Sequence, residues 1–185
     1  MKSIRLLIFV LLLPLWACNN TKKDRIKIIE ELYSRRFQMD MDDMLIVNPV
    51  GFNKEYEYGT YNFVWYVDSG SCSTCALSTL ENWDLYLKEL RVNYDVGFYP
   101  VFFPRKDQSS FFINRAKAQY TEHPIIVDTT GVFKARNEFL PNDQLYNTFL
   151  IDSLGNVVIV GTPINNESLQ KVILKRLGNK DEAER

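Results

Sequence analysis

Histidine and cysteine are scarce: the 185-residue chain holds one of the first and three of the second. A closed zinc site takes about four nitrogen, sulfur or oxygen ligands. Apart from Cys18, only Cys72, Cys75 and His123 could supply soft ones, so no metal or cofactor is expected. Positive charge is not in excess either. Lys and Arg number 22 against 23 Asp and Glu, a net charge of −1, which is no footprint for nucleic acid. Without Lys2 and Arg5 the remainder is more acidic still. Repeats and low-complexity tracts are absent, and with them solenoid and fibrous architectures. The main apolar run, from Leu6 to Leu13, is shorter than the ~20 residues a membrane-spanning helix needs. What remains is 46% hydrophobic and 24% charged, a globular balance sized for one domain.

The N-terminus has its own grammar. Lys2 and Arg5 precede the apolar run, which ends at Pro14-Leu15-Trp16-Ala17-Cys18: a charged region, an apolar region and a small residue before a cut, as in a signal peptide. Leu15-Trp16-Ala17-Cys18 resembles the lipobox of bacterial lipoproteins, which implies lipidation at Cys18 as the new N-terminus. Acyl chains contribute about 0.8 kcal/mol per buried methylene, so a multiply acylated Cys18 would hold the protein at a membrane and leave its domain in water. The expected partition is a signal peptide over 1–17, an anchored N-terminus and helix over 18–40, one domain over 41–178 and a polar tail over 179–185.

Periodicity then divides the chain. Ile26, Ile29, Tyr33 and Phe37 predict an amphipathic helix from Lys22 to Phe37 with those four residues inward. Met44–Val47 suits a short strand. Tyr61–Val67 is nearly continuous in β-branched and aromatic residues, as in a strand buried on both faces. After Cys72-Ser73-Thr74-Cys75, the residues Ala76, Leu80, Trp83, Leu87 and Leu90 share one face of a single helix. Tyr94–Phe103 reads as a strand in which Pro100 implies a bend or bulge. Asp107–Tyr120 suits a helix, Pro124–Asp128 a strand, and the stretch to Leu140 some further helix. Thr148–Asp152 and Val157–Val160 flank a Gly-containing turn, and Asn166 can cap a last helix with Leu169, Val172, Ile173 and Leu177 inward.

The chemistry is concentrated in the two cysteines. Cys72 and Cys75 stand at a strand-to-helix junction, where unpaired N–H groups and the helix dipole favour a thiolate. Such a setting lowers a thiol from about 8.5 to between about 3.5 and 7.5. Cys72 is accordingly the expected attacker, exposed, and Cys75 the resolver, partly buried one turn in. A permanent structural disulfide, or half a zinc site, uses the same residues and stays open at this point.

The element order and Cys72-Ser73-Thr74-Cys75 resemble the thioredoxin-like superfamily, from about Tyr61 to Leu177. Tyr146-Asn147-Thr148 and the hairpin after it are most similar to the TlpA-like and redoxin branch. The resemblance implies an α/β fold: a mixed central sheet flanked by helices, here with an N-terminal helical extension. It also implies thiol-disulfide exchange in the cell envelope, with proteins bearing thiols or disulfides and with a redox partner protein. The family's tryptophan before the first cysteine is Ser71, and no proline lies between the cysteines. Its cis-proline ahead of the hairpin, which receives the partner's backbone, aligns with Tyr146, so Ser71, Ser73, Thr74 and Tyr146 are candidate docking residues. The proton-relaying acid of thioredoxin aligns with Tyr66 and the glutamate of the TlpA-like branch with Ser78, leaving Glu81 as a substitute or a plain surface acid.

Other readings compete. Redoxin-type peroxidases carry a proline and a threonine before the reactive cysteine where Trp65 and Ser69 stand, a pattern half met. A non-enzymatic binding module that keeps the cysteines as a staple is the rival from another class. His123 reads as a solvated loop residue. Met39, Met41 and Met44 hint at copper but more simply cover a core edge, and the aromatics, 14% of the chain, read as core, with Phe111 and Phe112 the pair that could approach Cys72.

Overall fold

A computed structural model describes residues 24–50, 52 and 58–178. The signal peptide, Cys18 and the polar tail lie outside the described residues. A helix over residues 24–33, α1, comes first. It is followed by β1 (Leu45–Val47), β2 (Tyr61–Val67), α2 (Ser73–Leu77), α3 (Leu80–Arg91), β3 (Val96–Phe102), α4 (Ser109–Lys117) and β4 (Ile125–Val127). The chain closes with α5 (Val132–Arg136), β5 (Thr148–Asp152), β6 (Val157–Val160) and α6 (Glu167–Gly178), and a 3₁₀ turn, Gln144–Tyr146, leads into β5.

The strands form one mixed sheet in the order β1-β4-β3-β2-β5-β6. β2, β3 and β4 run parallel, while β1 and the β5–β6 hairpin are antiparallel to their neighbours. The two-residue period of the strands sends alternate side chains to two cores. Phe63, Val67, Phe98 and Phe102 meet Trp83 and Leu87 of α3, Phe112 of α4 and Ile173 of α6 on one face. Val64, Tyr66, Tyr99 and Val101 meet Leu32 of α1 and Phe133 of α5 on the other. Trp83 anchors the first core, stacked on Phe98 at 4.6 Å and edge-on to Phe63 at 5.5 Å. Burial of a side chain of this kind contributes about 1.5–3 kcal/mol, so the helix that follows the cysteines is firmly seated.

Four expectations from periodicity are corrected. The first concerns α1, where Leu32 is buried while Ile26 and Tyr33 are exposed. The chain leaves the helix at Ser34, so Phe37 reaches the core by another path, through hydrogen bonds from Phe37 N–H to the Gly155 carbonyl (2.8 Å) and from Val157 N–H to the Arg35 carbonyl (3.1 Å). Secondly, the helix after the cysteines is two helices. The Ser78 hydroxyl donates to the Cys75 carbonyl (2.7 Å) and the Thr79 hydroxyl to the Ala76 carbonyl (2.8 Å), local bonds that compete with helix continuation.

Thirdly, Pro100 makes no bulge, since β2 and β3 stay in register from Tyr61↔Val96 to Val67↔Phe102. Phe103 N–H donates toward β2, to the Val67 carbonyl, and strand alternation therefore turns the Pro100 nitrogen toward β4, whose pairing begins only at Val101. No ladder bond is asked of it. Lastly, Val172 points outward on α6 while Ile173 and Leu177 are buried. Asn166 does cap that helix, its Oδ1 accepting from Leu169 N–H at 3.1 Å.

Candidate functional site

β2 is paired on both sides and stops at a turn built by Asp68, whose carboxylate accepts from Gly70 N–H (3.0 Å) and from the Ser71 hydroxyl (2.9 Å). Cys72 comes next and caps α2, its carbonyl accepting from Ala76 N–H. Cys72 and Cys75 form a disulfide with their Cα atoms 5.2 Å apart. The Cys72 Sγ accepts from Cys75 N–H at 3.3 Å and lies 3.6 Å from the Thr74 hydroxyl. α2 is only five residues long. The dipole invoked from the sequence is therefore short, and the favourable field at the Cys72 sulfur comes from the one N–H group that reaches it, that of Cys75.

The two sulfurs are less asymmetric than expected. Cys75 is exposed, as Cys72 is, and it is Ser73 between them that is buried. Thr74 and Ser71 are half-buried. A cleft of about 360 Å³ opens beside the disulfide, lined by Trp65, Ser71, both cysteines, Gln144 and Asn147 among others. Tyr146 is not part of its wall: the side chain is buried in the second core with Phe149. Asn147, which immediately precedes β5, lines the cleft instead, one residue on from Tyr146. Its carbonyl accepts from Tyr66 N–H at 2.9 Å, fixing the turn against the end of β2.

No carboxylate stands where thioredoxins keep theirs. Tyr66 is fully buried, and burial first, then the negative charges of Asp68 and Asp128, push its phenol far above the usual range, so it stays neutral. Glu81 is exposed in the first turn of α3 and does not line the cleft. Asp128, which the sequence reading passed over, is fully buried and accepts from the N–H groups of Gly131 (2.7 Å) and Phe133 (2.9 Å), among others. It is spent on the start of α5. The Asp-Thr-Thr-Gly run at this point is a turn signal that could have revealed it.

His123 is buried, not solvated: its Nε2 lies 3.5 Å from the Asp84 carboxylate and its ring meets Phe98 edge-on. Met39, Met41 and Met44 pack against the second core. Phe112 is core, and Phe111 is exposed on α4, a helix in contact with α2. Among the described residues no group of three or more His, Cys, Asp or Glu could hold a metal ion.

A parallel β2-α3-β3 unit, an antiparallel β5–β6 hairpin added beside β2, a closing helix, and a disulfide-bonded C-x-x-C pair at the end of the central strand decide the architecture. The fold is thioredoxin-like. β4 extends the sheet on the β3 side, and β1 pairs with it at the edge.

No family model matches the sequence. No curated protein matches it either. Solved structures do. The pneumococcal exposed lipoprotein thioredoxin Etrx1 from Streptococcus pneumoniae is 22% identical, with a TM-score of 0.48 over 72% of this chain and 99% of that one. A domain of a possible thiol-disulfide isomerase from Cytophaga hutchinsonii is 16% identical, with a TM-score of 0.45 over 77% of this chain and 92% of that one. A thioredoxin-like protein from Aeropyrum pernix is 12% identical, with a TM-score of 0.43 over 88% and 98%. The fold assignment rests on strand order and cysteine placement.

Proposed function

We propose that this protein is a thiol-disulfide oxidoreductase of the cell envelope, held at a bacterial membrane by a lipid on Cys18 and acting on protein thiols or disulfides through Cys72 and Cys75. The observation that carries the reading is the exposed Cys72–Cys75 disulfide at the end of the central strand, with Cys75 N–H on the Cys72 sulfur and a cleft alongside. In the reduced protein the Cys72 thiolate attacks a partner's disulfide, displaces one partner sulfur as thiolate and forms a mixed disulfide. Cys75, deprotonated, attacks the Cys72 sulfur and releases the second partner thiolate. Two electrons pass to the partner, and the two protons lost by the cysteines go to its thiolates. A redox partner protein then returns Cys72 and Cys75 to the dithiol.

The reactive cysteine, the resolver, and the docking roles of Ser71, Ser73 and Thr74 belong to this reading. Among the described residues no helix is long and apolar enough to cross a membrane. The deciding experiment is a redox titration of the pair against glutathione buffers. Structural disulfides lie below about −300 mV and exchanging ones above it, so a potential above that value is expected. A lower one leaves a permanent staple in a binding module.

A further inference from the structure

Helix α1 is amphipathic in sequence, but the fold uses only part of its apolar surface. Leu32 is buried in the second core and Ile29 packs beside it. Ile26 and Tyr33, seven residues apart and therefore on one stripe, stay 47% and 45% exposed. Every residue from Asp24 to Ile28 is exposed, so the first half of the helix stands clear of the domain. A helix this short gains little from propensity and is held by what its apolar side meets.

Charge and reach say what that is. Between Cys18 and Ile29 the sequence carries Lys22, Lys23, Arg25 and Lys27 against a single acid, Asp24, whereas residues 30–185 hold 16 Lys and Arg against 22 Asp and Glu. On the helix, Arg25 and Lys27 lie about 100° to either side of Ile26. Long basic side chains so placed lay their stems along an apolar contact and carry their charges to the groups that flank it. Asp24 and Glu31 fall on the opposite side of the helix, and Glu30 is the one acid beside the stripe. Cys18 stands six residues before Asp24, a span of at most about 20 Å.

We infer that α1 is a membrane-contact helix, its Ile26–Tyr33 stripe laid on the headgroup region of an anionic phospholipid bilayer, with the basic residues around Ile26 paired to lipid phosphates. The inference rests on the anchor at Cys18 proposed above and goes beyond it. A lipid only tethers the domain, whereas α1 orients it, holding an otherwise acidic body to the surface by its one basic end. The contact is too small to retain the protein without the lipid.

The test uses the oxidised mature chain, residues 18–185, which keeps both cores because they draw on residues from Ile29 to Leu177. With Cys72 and Cys75 in a disulfide, Cys18 is the one free thiol, and it is coupled to a maleimide phospholipid in vesicles of phosphatidylcholine, with or without phosphatidylglycerol. Amide hydrogen exchange over residues 24–33 is expected to slow about tenfold on the anionic vesicles relative to the zwitterionic ones. The difference should vanish in 1 M salt, where the Debye length is about 3 Å. It should vanish also in Arg25→Gln/Lys27→Gln and in Ile26→Ser/Tyr33→Ser, with exchange in β2 unchanged as the sign of an intact fold. Equal exchange of wild type on the two vesicles overturns the inference without recourse to a variant, and so does slowing that survives salt or either double substitution. The intact mass of the protein recovered from bacterial membranes judges the anchor separately: a Cys18 without acyl chains removes the lipid, while the coupled vesicles still decide whether α1 contacts an anionic surface.

Discussion

The Gln144 carboxamide donates a hydrogen bond to the Ser71 hydroxyl, joining the turn ahead of β5 to the residue just before Cys72. Ser71 in turn donates to Asp68 at 2.9 Å, so three side chains tie together the two loops that wall the cleft. Ser71→Ala removes both bonds at once. The expected loss is about 1 kcal/mol, since the group is half in water and net hydrogen-bond contributions are of that order. The urea midpoint of the oxidised protein reads it. If the midpoint does not move, the loops are held by something other than this chain of bonds.

Asp84 supplies a pH prediction. Burial raises its carboxyl above the ordinary range, although the Thr121 hydroxyl (2.8 Å) and Glu122 N–H (3.3 Å) donate to it. A carboxyl with a raised folded-state pKa binds its proton more tightly when folded, so its contribution to stability is present at low pH and is lost as pH rises through the folded pKa. Asn offers the same acceptor without the charge. Asp84→Asn should therefore raise the melting temperature at pH 7, with the gain shrinking toward pH 4. A lower melting temperature at pH 7 would mean that the facing Arg91 and His123 outweigh desolvation.

Gly155 holds the N-terminal extension in place. Its φ is +87° in the hairpin turn, and a Cβ there would stand 2.7 Å from the Phe37 carbonyl oxygen. Gly155→Ala combines left-handed strain of about 1–2 kcal/mol with that clash, in the segment that seats Phe37 against Phe139 and Phe149. Destabilisation above about 2 kcal/mol in urea, with earlier proteolysis near residue 36, is the expected result. Equal stability would show that the extension does not contribute to the domain.

Much of this architecture is legible in the sequence, because strand and helix periods report burial directly. Tyr61–Val67 is an apolar run and proves to be the strand paired on both sides. Leu80, Trp83, Leu87 and Leu90 repeat at helical spacing and are all buried. What escapes is set by contacts distant in sequence or by single-residue register. His123 looks like a loop residue until α3 brings Asp84 beside it. Helical spacing continues past Ser78 and Thr79, whose hydroxyls break the helix locally. Tyr146 and Asn147 are adjacent, and only the 3₁₀ turn Gln144–Tyr146 decides which of them lines the cleft.

Anchoring is tested on Cys18, which lies outside the described residues. Wild type is expected in the membrane fraction of a bacterial host, and Cys18→Ala in the soluble fraction of the envelope, since in the proposed reading a lipid on Cys18 would carry the whole attachment. An equal membrane share for both proteins would place the attachment elsewhere.

The last prediction concerns the asymmetry between two sulfurs that are both exposed. Access alone does not separate them, and what does is the pair of groups on the Cys72 sulfur, Cys75 N–H at 3.3 Å and the Thr74 hydroxyl at 3.6 Å. In the reduced protein Cys72 should be alkylated faster than Cys75 at neutral pH, and the gap should close as pH approaches 9, where an ordinary thiol is ionised as well. The same asymmetry fixes the outcome of trapping. Cys75→Ser leaves the mixed disulfide on Cys72 with no resolving thiol, so covalent adducts sensitive to reductant should accumulate in envelope extracts on a non-reducing gel. Cys72→Ser should give few, because Cys75 lacks the sulfur-directed N–H. Adducts in equal amounts from both variants would refute the assignment of attacker and resolver. A clean monomer from both, with a wild-type disulfide that resists reduction, would make the pair a staple.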